Sequence, residues 1–253
     1  MAHPTVLVGA EPIDLPGGPV GVVLCHGFTG TTQSMRPWAE HLGAAGHTVM
    51  APRLPGHGTT VKDQNTTRWE DWYAELERSF DDLRGRCDTV FAMGLSMGGT
   101  LVLRLAELRR ADVAGIVVVN AALLTERKDA KLLPLLSKIV PSFPGVGNDI
   151  KKPGVTELAY PKMGLKAAYS LQQAWPVVRA DLGTITCPVL SFRSAEDHVV
   201  EAANGPALLA GVKHAEERVL SDSYHVATLD NDAPTIFDGS LAFIAAHASA
   251  AAG

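Results

Sequence analysis

The chain reads as an α/β protein, a mainly parallel sheet of about seven strands flanked by helices, with a small helical cap inserted into it. Three observations predict this. Short apolar runs with the length of buried strands alternate with helical patterns up to residue 123, and again from 186 onward. Such alternation places parallel strands in one sheet with helices on both faces. Between the two stretches the rhythm stops, which divides the chain into a core of residues 1–123 and 186–253 and an inserted cap of residues 124–185. Finally, 253 residues with 46% hydrophobic content are enough for one large core with an insertion.

Before residue 19 there is room for one strand, and Thr5-Val6-Leu7-Val8 is the only extended apolar run there. Residues 19–25 form the first clear strand, ending in the turn His26-Gly27-Phe28-Thr29-Gly30. A helix over 34–45 follows, stopped by Gly46. Residues 47–54 are the next strand, left through Pro55-Gly56-His57-Gly58. The clearest helix spans 68–84, where Thr67 and Glu70 suggest a capping box. Its stripe of Trp69, Trp72, Tyr73, Leu76, Phe80 and Leu83 has helical spacing, so packing against the sheet explains it better than a ligand platform. A strand to Leu95, a helix over 97–110 and a strand over 113–120 complete the first half. In the insertion no strand is convincing. A short helix broken by Pro134, a Pro/Gly-rich stretch over 141–154 and a helix over 165–178 are expected. The alternation resumes with strand 188–192, a helix near 201–210, strand 217–220 and a last helix with Asp232 as N-cap and Pro234 just inside.

Composition excludes several functions. A net charge of −5 with both signs interspersed argues against nucleic acid as a partner. Cys25, Cys87 and Cys187 are widely separated and show no metal-ligand spacing, so three reduced, mostly buried thiols are expected, with no metal or cofactor. The N-terminus lacks a basic region followed by an apolar run, and the longest apolar stretch, 113–124, is too short to span a bilayer. A soluble cytoplasmic protein is the expectation.

Gly94-Leu95-Ser96-Met97-Gly98 fits G-x-S-x-G between a strand and a helix. The motif demands a strand-to-helix turn within about one residue, which strains the serine backbone and leaves the hydroxyl proud of the sheet. At both glycines a side chain is expected to collide with a neighbouring element. A serine hydroxyl is a poor nucleophile near neutral pH and needs a base, which needs an orienting acid. Among nine histidines, His225 follows the last strand in Ser221-Asp222-Ser223-Tyr224-His225, where the chain returns to the carboxyl edge of the sheet. His26 reads as loop scaffolding, while His3, His41, His47, His57, His198, His214 and His247 have terminal, loop or helix settings. For the acid, Asp197 lies just beyond strand 188–192. Asp222 is badly spaced three residues before His225, and Glu196 points elsewhere. The oxyanion is expected to meet the N–H of Met97 at the helix start and of Phe28 in the earlier loop.

These residues give the chain a resemblance to the α/β-hydrolase family, and within it to bacterial carboxylesterases and thermostable monoacylglycerol lipases. The resemblance is carried by His26-Gly27-Phe28-Thr29-Gly30, Gly94-Leu95-Ser96-Met97-Gly98-Gly99, Glu196-Asp197-His198-Val199-Val200 and Ser223-Tyr224-His225-Val226-Ala227. In the cap it continues through Asp149-Ile150-Lys151-Lys152 and Glu157-Leu158-Ala159-Tyr160. It implies an α/β-hydrolase fold and a serine esterase with Ser96 as nucleophile, Asp197 as acid, His225 as base, and Phe28 and Met97 at the oxyanion hole. It also implies that Glu157 meets the glycerol hydroxyls of a monoacylglycerol, against the plainer reading of a solvated carboxylate near Lys151, Lys152 and Lys162. Monoacylglycerols and short-to-medium acyl esters are the expected substrates. A thioesterase, amidase or aromatic-ester hydrolase with the same triad is the alternative, as is a small-ligand binder without catalysis. The apolar residues Leu132, Leu133, Leu135, Leu136, Ile139 and Val140 suggest a lid in transient contact with lipid aggregates, or simple burial.

Overall fold

A computed structural model describes residues 4–145 and 147–248; His3 lies outside them. Its strands and helices, in chain order, are β1 (Ile13–Leu15), β2 (Val20–Cys25), α1 (Arg36–Ala44), β3 (Thr48–Ala51), α2 (Val61–Gln64), α3 (Trp69–Arg86), β4 (Thr89–Leu95), α4 (Met97–Arg109), β5 (Ile116–Val119), α5 (Leu133–Ile139), β6 (Ser142–Pro144), β7 (Lys162–Gly164), α6 (Leu165–Asp181), β8 (Val189–Ser194), α7 (Asn204–Gly211), β9 (Ala215–Leu220) and α8 (Ala233–His247). Seven strands form one sheet in the order β1-β3-β2-β4-β5-β8-β9. β1 pairs antiparallel to β3, and the other five pairings are parallel. This is the mainly parallel, helix-flanked sheet of about seven strands that the alternation predicts.

Every residue of β4 is buried, as a central parallel strand covered on both faces must be. On one face lie Trp72, Leu76, Phe80 and Leu83 of α3, with Leu101 and Leu105 of α4. Trp72 and Phe80 are 0% exposed, and each contributes roughly 1.5–3 kcal/mol by leaving water, so the aromatic stripe is core. Trp38 and Leu42 of α1 cover the other face together with Ile236, Phe237 and Ile244 of α8.

Three local expectations are corrected. The single strand before residue 19 is Ile13–Leu15, not the apolar run at 5–8. The helix over 69–86 begins one residue later than Thr67 predicts, and the Arg68 N–H donates to the Asp71 carboxylate at 2.9 Å in place of a Thr67–Glu70 pair. Thr67 instead donates to the Gln64 carbonyl and accepts the Trp72 indole N–H. The stretch between β5 and β8 also holds two short strands, β6 and β7, paired antiparallel. Within that stretch α6 buries Ala167, Leu171 and Val178 in the main core, packed on α3 and α4. Among the described residues no helix is long and apolar enough to cross a membrane.

Candidate active site

β4 enters α4 through Ser96, whose φ of 55° and ψ of −116° lie where non-glycine residues are strained by roughly 1–3 kcal/mol. The turn is held from both sides. The Ser96 N–H donates to the Val119 carbonyl at 2.8 Å, and its carbonyl accepts from Thr100 and Ala122. A Cβ on Gly94 would strike the Gly98 carbonyl, and one on Gly98 would strike the Cys25 carbonyl on β2. The two glycines of G-x-S-x-G are therefore demanded by close approach of backbone to backbone.

The residue after β5, Asn120, connects this corner to the base. It is buried with φ of 47°, and its amide nitrogen donates to the His225 carbonyl at 2.8 Å while its oxygen accepts the Ser194 N–H at 2.8 Å. The ends of β5, β8 and the His225 loop are thus fixed to one side chain. His225 and Asp197, both nearly buried, meet through Nδ1 and Oδ2 at 2.8 Å. Asp197 Oδ1 accepts the N–H groups of Val199 and Val200, each at 2.8 Å. Burial works against the Asp197 charge, but the hydrogen bond and charge of His225 and the two backbone donors outweigh it, holding the carboxyl below its ordinary range. The competing acids point away: Asp222 pairs with Lys151 Nζ at 3.0 Å, and Glu196 faces His198 Nε2 at 3.5 Å.

Across the sheet, the loop after β2 comes close to the same serine, since a Cβ on Gly27 would sit 3.6 Å from Ser96 Cβ. His26 is buried and accepts the Leu54 N–H on Nε2 at 3.3 Å, so its proton sits on Nδ1 and is given to the Gly27 carbonyl at 2.9 Å. Burial, the largest influence, pushes its pKa down to about 4 despite the bond to Gly27, with the Arg53 charge adding to the fall. An imidazole neutral near pH 7 therefore orients the peptide between Gly27 and Phe28. Neither the Phe28 nor the Met97 N–H finds an acceptor among the described residues, which leaves both free for an oxyanion. The Phe28 ring is half-buried against Trp72 and His57, at 5.8 and 6.0 Å between centroids.

Glu157 reaches the same edge from the insertion. A side chain on Gly30 would meet its Oε1 at 2.5 Å, and its N–H donates to Asn148 Oδ1 at 2.7 Å. Burial raises its pKa to about 7, opposed by the charge of His225 and by the nearby Ser34 hydroxyl, whose own bond goes to the Thr31 carbonyl at 3.0 Å. Glu157 makes no ion pair with a lysine or arginine among the described residues, and Lys151 pairs with Asp222 instead. Ser96, Asp197, His225, Phe28, Met97 and Glu157 therefore gather at one edge of the sheet. Asn120 was not singled out as functional from the sequence; a lone Asn closing a buried apolar strand was the available signal. Cys25, Cys87 and Cys187 are buried free thiols, and among the described residues no group of His, Cys, Asp or Glu is arranged to hold a metal.

The family model described as serine aminopeptidase, S33, matches residues 20–232. A thermostable monoacylglycerol lipase of Bacillus sp. (strain H-257) is 45% identical over 245 residues, covering 96% of this chain and 97% of its own. A carboxylesterase of Bacillus subtilis (strain 168) is 26% identical over 231 residues, or 89% and 92% of the two chains. A solved structure of the metagenome-derived lipolytic enzymes LipS and LipT superposes with a TM-score of 0.93 at 43% identity, covering 96% of this chain and all of that one.

Proposed function

The chain belongs to the serine aminopeptidase S33 family of α/β hydrolases and is a carboxylic ester hydrolase; from that premise we propose that it cleaves monoacylglycerols and short-to-medium acyl esters on Ser96. Ser96 Oγ attacks the ester carbonyl while His225 Nε2 takes its proton, and Asp197 holds the imidazole in the tautomer that leaves Nε2 free. The oxyanion is received by the Phe28 and Met97 N–H groups. His225 then gives its proton to the departing alcohol, and water repeats the attack to release the acid. The observation that carries the reading is the buried Asp197–His225 bond of 2.8 Å, joined through Asn120 to the strand that grips the strained Ser96 backbone. A panel of monoacylglycerols, simple esters, a thioester and an aminoacyl amide tests it. Faster turnover of the amide or thioester than of every ester would sink the substrate assignment. The protein works in the cytoplasm in this reading.

Glu157 supports the glycerol preference, and it yields the first prediction. Hydrogen bonds to charged groups contribute about 1.5–3 kcal/mol, so Glu157→Gln should raise KM for monoacylglycerol roughly tenfold or more and leave an aliphatic-alcohol ester unchanged. A carboxylate with a pKa of about 7 becomes a full acceptor only as pH rises through that value. KM for monoacylglycerol should accordingly fall across that range in the parent and stay flat in the variant. Equal KM values on both esters would reduce Glu157 to a packing residue.

Residues 124–185 act as the cap in this proposal, with α5 as the part that rests transiently on lipid aggregates. Leu132, Leu135, Ile139 and Phe143 are each more than half exposed, whereas Leu133 and Leu136 are half-buried. The exposed set is therefore the one to change. Leu135→Ser with Ile139→Ser should lower activity on micellar long-chain monoacylglycerol about tenfold and spare a short soluble ester, with the same Tm. Leu136→Ser should instead lower the Tm. Unchanged micellar activity in the double variant would remove the lipid contact.

A further inference from the structure

Residues 148–160 run from the loop of His225 to the loop that carries Phe28. At their start, Asp149 Oδ2 accepts the His225 N–H at 3.1 Å and the His198 N–H at 3.2 Å, while Oδ1 meets His198 Nδ1 at 2.8 Å. The Asp149 carbonyl takes the Val226 N–H at 3.0 Å. The following residues are tied to the same loop: the Lys151 and Lys152 N–H groups donate to the Asp230 carboxylate, which also takes the Tyr224 N–H. At the far end the Tyr160 N–H donates to the Thr29 carbonyl at 3.0 Å, and the Thr31 hydroxyl donates to the Leu158 carbonyl at 3.1 Å.

We propose that Asp149, a residue of the insertion, is a positioning residue for His225, gripping its backbone N–H so that the imidazole meets Ser96 in one orientation. His225 then has three polar points held by three elements: its N–H by Asp149, its carbonyl by Asn120 and Nδ1 by Asp197. The Asp149 side chain is only 10% exposed, and His198 is its one charged partner among the described residues. A nearly buried carboxylate directed at two backbone N–H groups makes charge-assisted bonds, roughly twice as strong as neutral ones. Removing it leaves the Val226-to-Asp149 main-chain bond in place, so the loop loosens without detaching. A displacement of about 1 Å at the base is enough to cost roughly 100-fold in rate. The half of the insertion that carries Glu157 is by this account a fixed part of the catalytic frame, and any lid movement belongs to α5.

The inference rests on His225 being the base, which His225→Ala tests separately. If that variant keeps its activity, the triad reading has failed whatever Asp149 does. The test itself uses the full chain with a short soluble ester and a fluorophosphonate that titrates the serine. Asp149→Ala should lower kcat about 10- to 100-fold with KM within about twofold, and the rate of serine phosphonylation should fall by the same factor. Asp149→Asn, which still presents an acceptor to the His225 N–H, should recover kcat to within about threefold of the parent. His198→Ala removes the ring partner alone and should leave kcat unchanged. A lower Tm and a smaller titratable fraction with unchanged turnover per titrated serine would make Asp149 only a fold anchor. A loss in His198→Ala equal to that in Asp149→Ala would move the effect to the ion pair and overturn the proposal. Should Asp149→Ala not fold, Asp149→Leu is judged by the same readouts; failure of both to fold also decides for the anchor.

Discussion

Ser96→Ala should keep the fold and lose about 10⁶-fold in kcat, the scale reached elsewhere when a triad nucleophile is removed. The fold survives because the Ser96 side chain makes no hydrogen bond to the protein among the described residues. The turn is held instead by the backbone bonds to Val119, Thr100 and Ala122 and by the contacts at Gly94 and Gly98. Alanine meets the same steric cost as serine at φ of 55°, so the Tm should move little. The oxyanion donors remain, and a residual rate above that of water, on the order of 10³-fold, is expected from them and from binding. The fluorophosphonate should no longer label the protein. Turnover within tenfold of the parent in a preparation free of it would remove Ser96 from the mechanism.

The architecture was legible because buried parallel strands read as nearly continuous apolar runs, as β2, β4 and β5 do. Legibility failed where structure depends on distant partners. β1 is three residues between Pro12 and Pro16, an edge strand recognisable only from its pairing with β3, whereas the more apolar run at 5–8 leaves Leu7 and Val8 exposed. β6 and β7 carry no period because each is too short to show one. The serine, acid and base proposed here are read from chain order and turn chemistry, which are local. Asn120 and Asp149 grip His225 across 105 and 76 residues, and the identity of that distant partner is not written in the chain around either of them. The two faces of α5 were equally opaque: leucines at 132, 133, 135 and 136 are alike in composition, and only packing in the folded chain separates the half-buried from the exposed ones.

Asp197→Asn should lower kcat about 10⁴-fold with little change in KM, the second-largest effect expected here. The side chain is nearly isosteric, and one oxygen can still accept the Val199 and Val200 N–H groups that shape the loop. What is lost is the acceptor for His225 Nδ1–H. An amide NH₂ in that place favours the tautomer with its proton on Nε2, which cannot take the serine proton, and it cannot stabilise the imidazolium that forms. The substitution also carries a stability signature with a definite sign. The Asp197 carboxyl is held below its ordinary range in the folded state, so its contribution is present above the unfolded value of about 3.9 and fades as pH falls through the lower folded value. The parent should therefore melt higher than Asp197→Asn at pH 7, and the gap should close as the solution is made strongly acidic. Asp222→Asn, changed in the exposed partner of Lys151, should leave kcat within about twofold and serves as the control for charge alone. If Asp197→Asn retains more than a tenth of parental turnover, or if Asp222→Asn shows the larger loss, the acid has been misassigned and the 2.8 Å contact to His225 is structural only.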